Sequence, residues 1–192
     1  DSFNEMINQL SHHRDELEHI SNTDVLTGIA NRRTFNQMIE KLWDDAIPCT
    51  IVFIDIDGLK YVNDNYGHSE GDHYIKEVCQ TLKTSLKENE FIFRLGGDEL
   101  LILSKVDQAQ VCEERLLKQH IQFNEEMKKK VPYPCDFSFG CVDVVKNEGK
   151  TISEYLSLAD KKMYHYKMKR YLNQSRLGYS LSLIHISEPT RH

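Results

Sequence analysis

An α/β sandwich, with helices packed on a mixed, largely antiparallel central sheet, is the fold class this sequence predicts. Three observations carry it. Cys49–Ile56 (CTIVFIDI) is a continuous, β-branched apolar run, the pattern of a central strand buried on both faces. Phe91–Leu95 and Leu100–Ser104 flank Gly96-Gly97-Asp98-Glu99, which reads as a β-hairpin with a glycine-bearing turn. Helical periodicities alternate with these strands along the rest of the chain.

The elements follow in order. Phe3, Met6, Leu10, His13, Leu17 and Ile20 recur at spacings of 3 and 4, a heptad seam over residues 1–20. Two readings of that seam stand: an amphipathic helix packed on its own domain, or the end of a longer dimeric coiled coil, since so short a seam is marginal alone. Ser21-Asn22-Thr23-Asp24 breaks the helix and offers caps for a new one. A helix is predicted over 32–45, with Phe35, Met38, Ile39 and Leu42 on one face, closed by Pro48. After strand 49–56, the Asx- and Gly-rich stretch Asp57–Gly71 reads as turns. Helices over 72–86, 107–130 and 153–172 and a strand over 136–145 complete the order. The domain is therefore drawn at 21–172. The tail 177–192 (LGYSLSLIHISEPTRH) continues no pattern before it and is expected to be non-native or disordered.

Composition narrows the function. The chain has 192 residues, 40% hydrophobic and 28% charged, enough for one domain with short appendages. Twenty-four Lys+Arg against thirty Asp+Glu leave a net charge of −6, a poor balance for wrapping a nucleic-acid polymer. No apolar stretch approaches the ~20 residues of a bilayer span, so no direct membrane insertion is expected of this stretch. Five cysteines without a CxxC pair read as buried thiols of a reducing compartment. Nine histidines include no HExxH. A chain that begins at Asp1 is expected to be part of a longer protein.

The chemistry concentrates in two places. Asp55 ends a buried strand and Asp98 sits in the hairpin turn. Two converging carboxylates with a backbone carbonyl can hold hard divalent cations, and two such ions can clamp a phosphoryl transfer. Solvated acids at loop boundaries remain the plainer alternative. Gly96 and Gly97 suit a tight turn whatever its role, and equally a ligand close to the backbone. Asp57–Asp72 keeps Lys60, Asn63, His68 and Asp72 among turn formers. Backbone amides after a strand, with a lysine, suit phosphates, and an Asn with an Asp suits a guanine edge. The same residues also suit an Asx-rich loop capping a helix at Asp72.

Taken together these motifs resemble the GGDEF domain family, the diguanylate cyclases, over about residues 20–172. The signature reads Gly96-Gly97-Asp98-Glu99-Leu100, preceded by Phe93-Arg94-Leu95. Asp24–Arg33 (DVLTGIANRR), Asp55-Ile-Asp-Gly-Leu-Lys60, Asn63-Asp64, Gly67-His68-x-x-Gly71-Asp72, Ser138-Phe139-Gly140 and Ala159-Asp160-x-x-Met163-Tyr164-x-x-Lys167 follow the family's order. The resemblance implies a palm-like fold behind a linker helix. It also implies condensation of two GTP into cyclic di-GMP and two pyrophosphates, each protomer of a homodimer presenting one GTP. Asp55, Asp98 and the Ile56 carbonyl would hold Mg²⁺ (or Mn²⁺), two per site. Asp98 would also act as base on the attacking hydroxyl, with Glu99 beside it. Asn63 and Asp72 would contact guanine, with His68 on the nucleoside. Lys60 and the backbone of Gly58 and Leu59 would hold phosphates, Lys60 also meeting transition-state charge, and Lys167 would reach the β/γ-phosphates. The homodimer would form through the N-terminal helix and the facing active sites. The location implied is cytoplasmic, any membrane anchor lying outside this chain. The alternative is a catalytically silent GTP-binding and dimerising module.

Three further residues stay open: Asp57 as metal shell or turn acid, Asp24 as a cap or partner of Arg32 or Arg33, Arg94 as facing the phosphates or not. Three departures stand out. Leu100 replaces the family's Phe. The product-inhibition motif Arg-x-x-Asp reads Lys87-Glu88-Asn89-Glu90, and lysine lacks the bidentate fork of arginine. The family's Lys-x-x-Gly-Arg reads Lys167-Met-Lys-Arg170-Tyr171, so Arg170 or Lys169 would have to stand in for the lost phosphate-binding Arg.

Overall fold

The computed structural model of the protein describes residues 22–176, so the heptad segment and the tail from 177 lie outside the described residues. The element order is β1 (Ala30–Asn31), α1 (Arg32–Asp44), β2 (Cys49–Asp57), α2 (Leu59–Tyr66), α3 (His68–Thr84), β3 (Glu90–Gly96), β4 (Glu99–Ser104), α4 (Ala109–Lys130), β5 (Asp136–Val144) and α5 (Ile152–Arg176). The strands form one sheet in the order β1-β3-β4-β2-β5. Only β1 and β3 run parallel, and the other pairs are antiparallel. The mixed, largely antiparallel α+β sheet is thus the one expected.

Strand β2 is the axis, paired on both sides and buried along nearly its whole length. Its side chains alternate between two cores, as a pleated strand requires. Val52, Ile54 and Ile56 face Val62 of α2, Tyr74, Val78 and Leu82 of α3, and Leu116 and Phe123 of α4. Ile51 and Phe53 face Phe35 and Ile39 of α1 and Tyr155 and Met163 of α5. Leu100 is wholly buried in the first core, so an apolar residue is what its position needs. All five cysteines are free and buried. Among the described residues no helix is long and apolar enough to cross a membrane.

Three elements differ from the sequence expectation. The stretch read as turns contains α2, and α3 begins at His68 instead of residue 72. Gly58 (φ 73°) lets the chain leave β2 and enter α2 at once, and Gly67 (φ 90°) breaks α2 from α3. Only Leu59 and Val62 of α2 are buried, too few apolar positions to register as helical periodicity amid the Asn and Asp residues. Strand β1 is two residues long, shorter than any pattern can reveal, and exists because Ala30 and Asn31 pair with Phe93 and Arg94.

Helix α5 lies on β5 where Gly140 provides room, since a Cβ there would overlap the backbone of Ala159 and Met163. Gly140→Ala should therefore destabilise the fold by about 2–3 kcal/mol, read as a lower urea midpoint at unchanged m-value.

Candidate functional site

Because β2 continues through Asp57, Asp55 and Asp57 project on the same face as Ile51 and Phe53, toward α5. In register, Asp55 lies opposite Glu99 of β4 and Ser138 of β5, and Asp57 lies opposite Asp136. The Ile56 N–H donates to the Asp98 carbonyl at 2.9 Å, which ties the hairpin turn to the strand end. Asp55, Asp98, Glu99, Lys167 and Tyr171 accordingly line one open cleft of about 730 Å³ between α1, α5 and the sheet.

The carboxylates are met by two cations from α5. Lys167 Nζ lies 2.9 Å from Oδ1 of both Asp55 and Asp57. Arg170 Nη1 lies 3.2 Å from Asp57 Oδ2, and its Nη2 pairs with Asp136. Ser138 Oγ donates to Asp57 Oδ2 at 2.6 Å. Burial, opposed by Lys167 and reinforced by Asp98 and Asp57, pushes the Asp55 carboxyl up to about 7. Burial alone would lower Lys167, but Asp57 and Asp55 hold its ammonium charged, well above its ordinary value. A desolvated carboxylate beside two others is a place that calls for positive charge.

The signature turn is braced from behind. Arg94 donates to the Gly97 carbonyl from Nε (3.2 Å) and Nη2 (2.8 Å), while its Nη1 pairs with Asp24 at 3.0 Å. Asp24 also accepts from Thr27 N–H at 3.0 Å and Thr27 Oγ1 at 2.6 Å. Burial would raise the Asp24 carboxyl, but Thr27 and Arg94 together hold it below its ordinary value. Arg94 therefore points at the turn, and the structure pairs it with Asp24, for which the sequence offered Arg32 or Arg33. Arg32 instead donates to Leu95 O at 3.1 Å and approaches Glu99 at 3.6 Å. Gly97 (φ 52°) and Gly96 (φ 139°) adopt backbone conformations that side chains disfavour, so both are needed for the turn itself.

The remaining predicted residues lie on α2 and α3, outside the lining of that cleft. Gly58, Leu59 and Lys60 form the N-terminal end of α2 directly after Asp57. Asn63 is half-buried against α3, where Gly71 makes way for its side chain. Lys60, His68 and Asp72 are exposed. Asp136 escaped the sequence reading of the site, and Arg170 and Ser138 entered it only as parts of family motifs, without their carboxylate partners. Asp136 and Ser138 are placed by the β2–β5 register and Arg170 by the rotation of α5 on the sheet, neither of which a single sequence displays. Arg170 is paired with Asp57 and Asp136 and is not among the residues that line the cleft.

A second acidic group lies at the other end of the sheet. Glu90, its side chain 0% exposed, takes two bonds from Arg115, at 2.5 and 2.6 Å, and Lys87 Nζ pairs with Asp107 at 2.7 Å. Cys112 completes a set with metal-ligand spacing, but the Arg115 guanidinium already satisfies Glu90. For the turn, Asp24→Asn should cost about 1–2 kcal/mol, measured by urea unfolding, by removing the charge that holds Arg94.

The family model described as "Diguanylate cyclase, GGDEF domain" matches residues 21–171. The chain is 30% identical over 171 residues to the bifunctional diguanylate cyclase/cyclic di-GMP phosphodiesterase MucR of Pseudomonas aeruginosa, covering 85% of this chain and 24% of that protein. It is 36% identical over 93 residues to diguanylate cyclase DgcM of Escherichia coli, covering 46% of this chain and 23% of that protein. It thus spans about a quarter of the length of these curated relatives. The crystal structure of the coiled coil and GGDEF domain of DgcB from Caulobacter crescentus, in complex with c-di-GMP, superposes with a TM-score of 0.80 at 22% identity, covering 88% of this chain and 92% of that one. The match to the family model runs through both the braced turn and the carboxylate cluster, and this chain belongs to the GGDEF, or diguanylate cyclase, family.

Proposed function

We propose that residues 21–172 form the catalytic domain of a diguanylate cyclase, which condenses two GTP into cyclic di-GMP and two pyrophosphates. The observation that carries this reading is the convergence of Asp55 and Asp98 beside Lys167 in one cleft. The donor set fits a divalent cation: two carboxylates, one of them the largely buried Asp55, and the Ile56 carbonyl are hard oxygen ligands. Mg²⁺ (or Mn²⁺), two per site, would supply Lewis-acid polarisation of the phosphoryl oxygens when bound. Asp98, with Glu99 beside it, would take the proton of the attacking 3′-hydroxyl. Lys167 would exchange its carboxylates for the β/γ-phosphates, and Lys60 with the amides of Gly58 and Leu59 would hold phosphate charge. Asn63 and Asp72 would read guanine, with His68 on the nucleoside. Each protomer would supply one GTP, so a homodimer is required, assembled through the segment 1–20 and the facing active sites. A cytoplasmic location accords with this substrate.

One observation favours a second reading, a catalytically silent GTP-binding module. Tyr171 stands in the cleft where the family has Arg, and Arg170 is turned away to Asp57 and Asp136. Incubation with GTP and Mg²⁺, followed by mass spectrometry, separates the two. The cyclase yields cyclic di-GMP rising more than linearly with enzyme concentration, whereas the silent module binds GTP and yields none.

Asp98→Ala should lower turnover by about 10³-fold or more while circular dichroism and Tm stay unchanged. Persistent turnover in that variant would rule out the assignment of Asp98. Product feedback through Lys87–Glu90 should be missing, because Glu90 is buried against Arg115 and Lys87 is paired with Asp107. Tight cyclic di-GMP binding that Lys87→Ala abolishes would contradict this.

A further inference from the structure

We propose that Arg170 is a positioning residue for nucleotide binding: by neutralising Asp57 and Asp136 it leaves Lys167 free to exchange its carboxylates for phosphates. The inference rests on the GTP reading above and extends it to a residue that stands where the family's motif has Gly.

Asp57 and Asp136 are direct cross-strand neighbours of β2 and β5, and like charges placed so repel. Both are largely buried, with side chains 7% and 18% exposed. The Arg170 guanidinium spans them, Nη1 on Asp57 Oδ2 and Nη2 on Asp136 Oδ2, and Nη1 also lies 3.3 Å from Phe137 O. The planar fork suits this bridging, and its carbon lies 5.5 Å from the centre of the Tyr166 ring. On its other oxygen, Asp136 meets His120 Nε2 and Asn124 Nδ2, the latter at 3.3 Å. Arg170 is thus held on several sides and has little freedom to reach a ligand itself.

Its effect passes through Lys167. Three carboxylates, Asp55, Asp57 and Asp136, share two cations, Lys167 and Arg170. With Arg170 in place, Asp57 keeps a positive partner and the Ser138 hydroxyl when Lys167 departs. Without Arg170, Lys167 becomes the remaining cation paired with Asp57 among the described residues. A buried carboxylate stripped of its partner is costly, so Lys167 would be retained there and withheld from the nucleotide. Such a change weakens ground-state binding, and KM should move more than kcat.

The test uses the full chain with Mg²⁺. Calorimetry measures binding of the non-hydrolysable α,β-methylene analogue of GTP, and initial rates of cyclic di-GMP formation give KM and kcat. Arg170→Met should raise Kd and KM about tenfold with kcat within about twofold. Adding Asp57→Asn, which removes the charge that traps Lys167 but keeps an acceptor for Ser138, should return Kd to within about threefold of the parent. Folded Arg170→Met with unchanged Kd, or a double variant without recovery, overturns the inference, since a merely structural role would lower Tm alone. Should Arg170→Met fail to fold, Arg170→Gln, which keeps donors but not charge, takes the same measurements and criteria. If the unaltered chain binds no analogue, the GTP reading falls and this inference with it. Binding by the unaltered chain with no response to Arg170 overturns this inference alone.

Discussion

Two carboxylates on alternate residues at the end of a buried strand cannot stand without positive charge nearby, and much of this molecule is arranged around that need. Asp55 and Asp57 share a face because β2 stays extended through both. Asp98 joins them through the hairpin turn, and Asp136 through the neighbouring strand. The answering cations, Lys167 and Arg170, come from a single helix, α5. A network of this kind contributes less to net stability than to the choice of one arrangement over others, since each ion is desolvated and each lost partner is expensive. Helix α5 is thereby fixed in rotation at its C-terminal part, while Gly140 sets its depth against β5.

The two faces of the sheet divide the labour. One carries α2, α3 and α4 over a continuous apolar core, and the other carries α1 and α5 and opens into the cleft. Tyr74 links them from the apolar side. Its buried hydroxyl lies 2.8 Å from the Asp57 carbonyl and accepts the Asp136 N–H at 2.5 Å, pinning the strand ends that bear the acids. The signature turn is held with similar economy, by Arg94 and Asp24 behind it and by the Ile56 amide beneath it. A site whose groups are held by such bonds needs little reorganisation when charge arrives.

The departures from the family pattern differ in weight once the side chains are placed. Leu100 is an apolar residue in an apolar pocket. Lys87 and Glu90 form a closed set with Arg115 and Asp107, and no longer present an open pair to a ligand. Tyr171 is the departure that touches the cleft, and Arg170, its neighbour, has been drawn into the carboxylate cluster.

Sequence alone determined the central strand, the hairpin, the helices that alternate with them, and the acids at 55 and 98, because each is written in local periodicity or in a contiguous motif. It failed at α2, whose buried face is only Leu59 and Val62, and at β1, which is two residues of pairing with no pattern of their own. It also left Asp57 and Arg170 without their partners and offered Asp24 the nearby Arg32 or Arg33, where the structure pairs it with Arg94. Those partners lie 70 residues away for the Arg94–Asp24 pair and 113 for Arg170 and Asp57. Only the tertiary structure decided them, because charge pairing across such distances is set by strand register and by the rotation of a helix on the sheet, and neither is a local property of the chain.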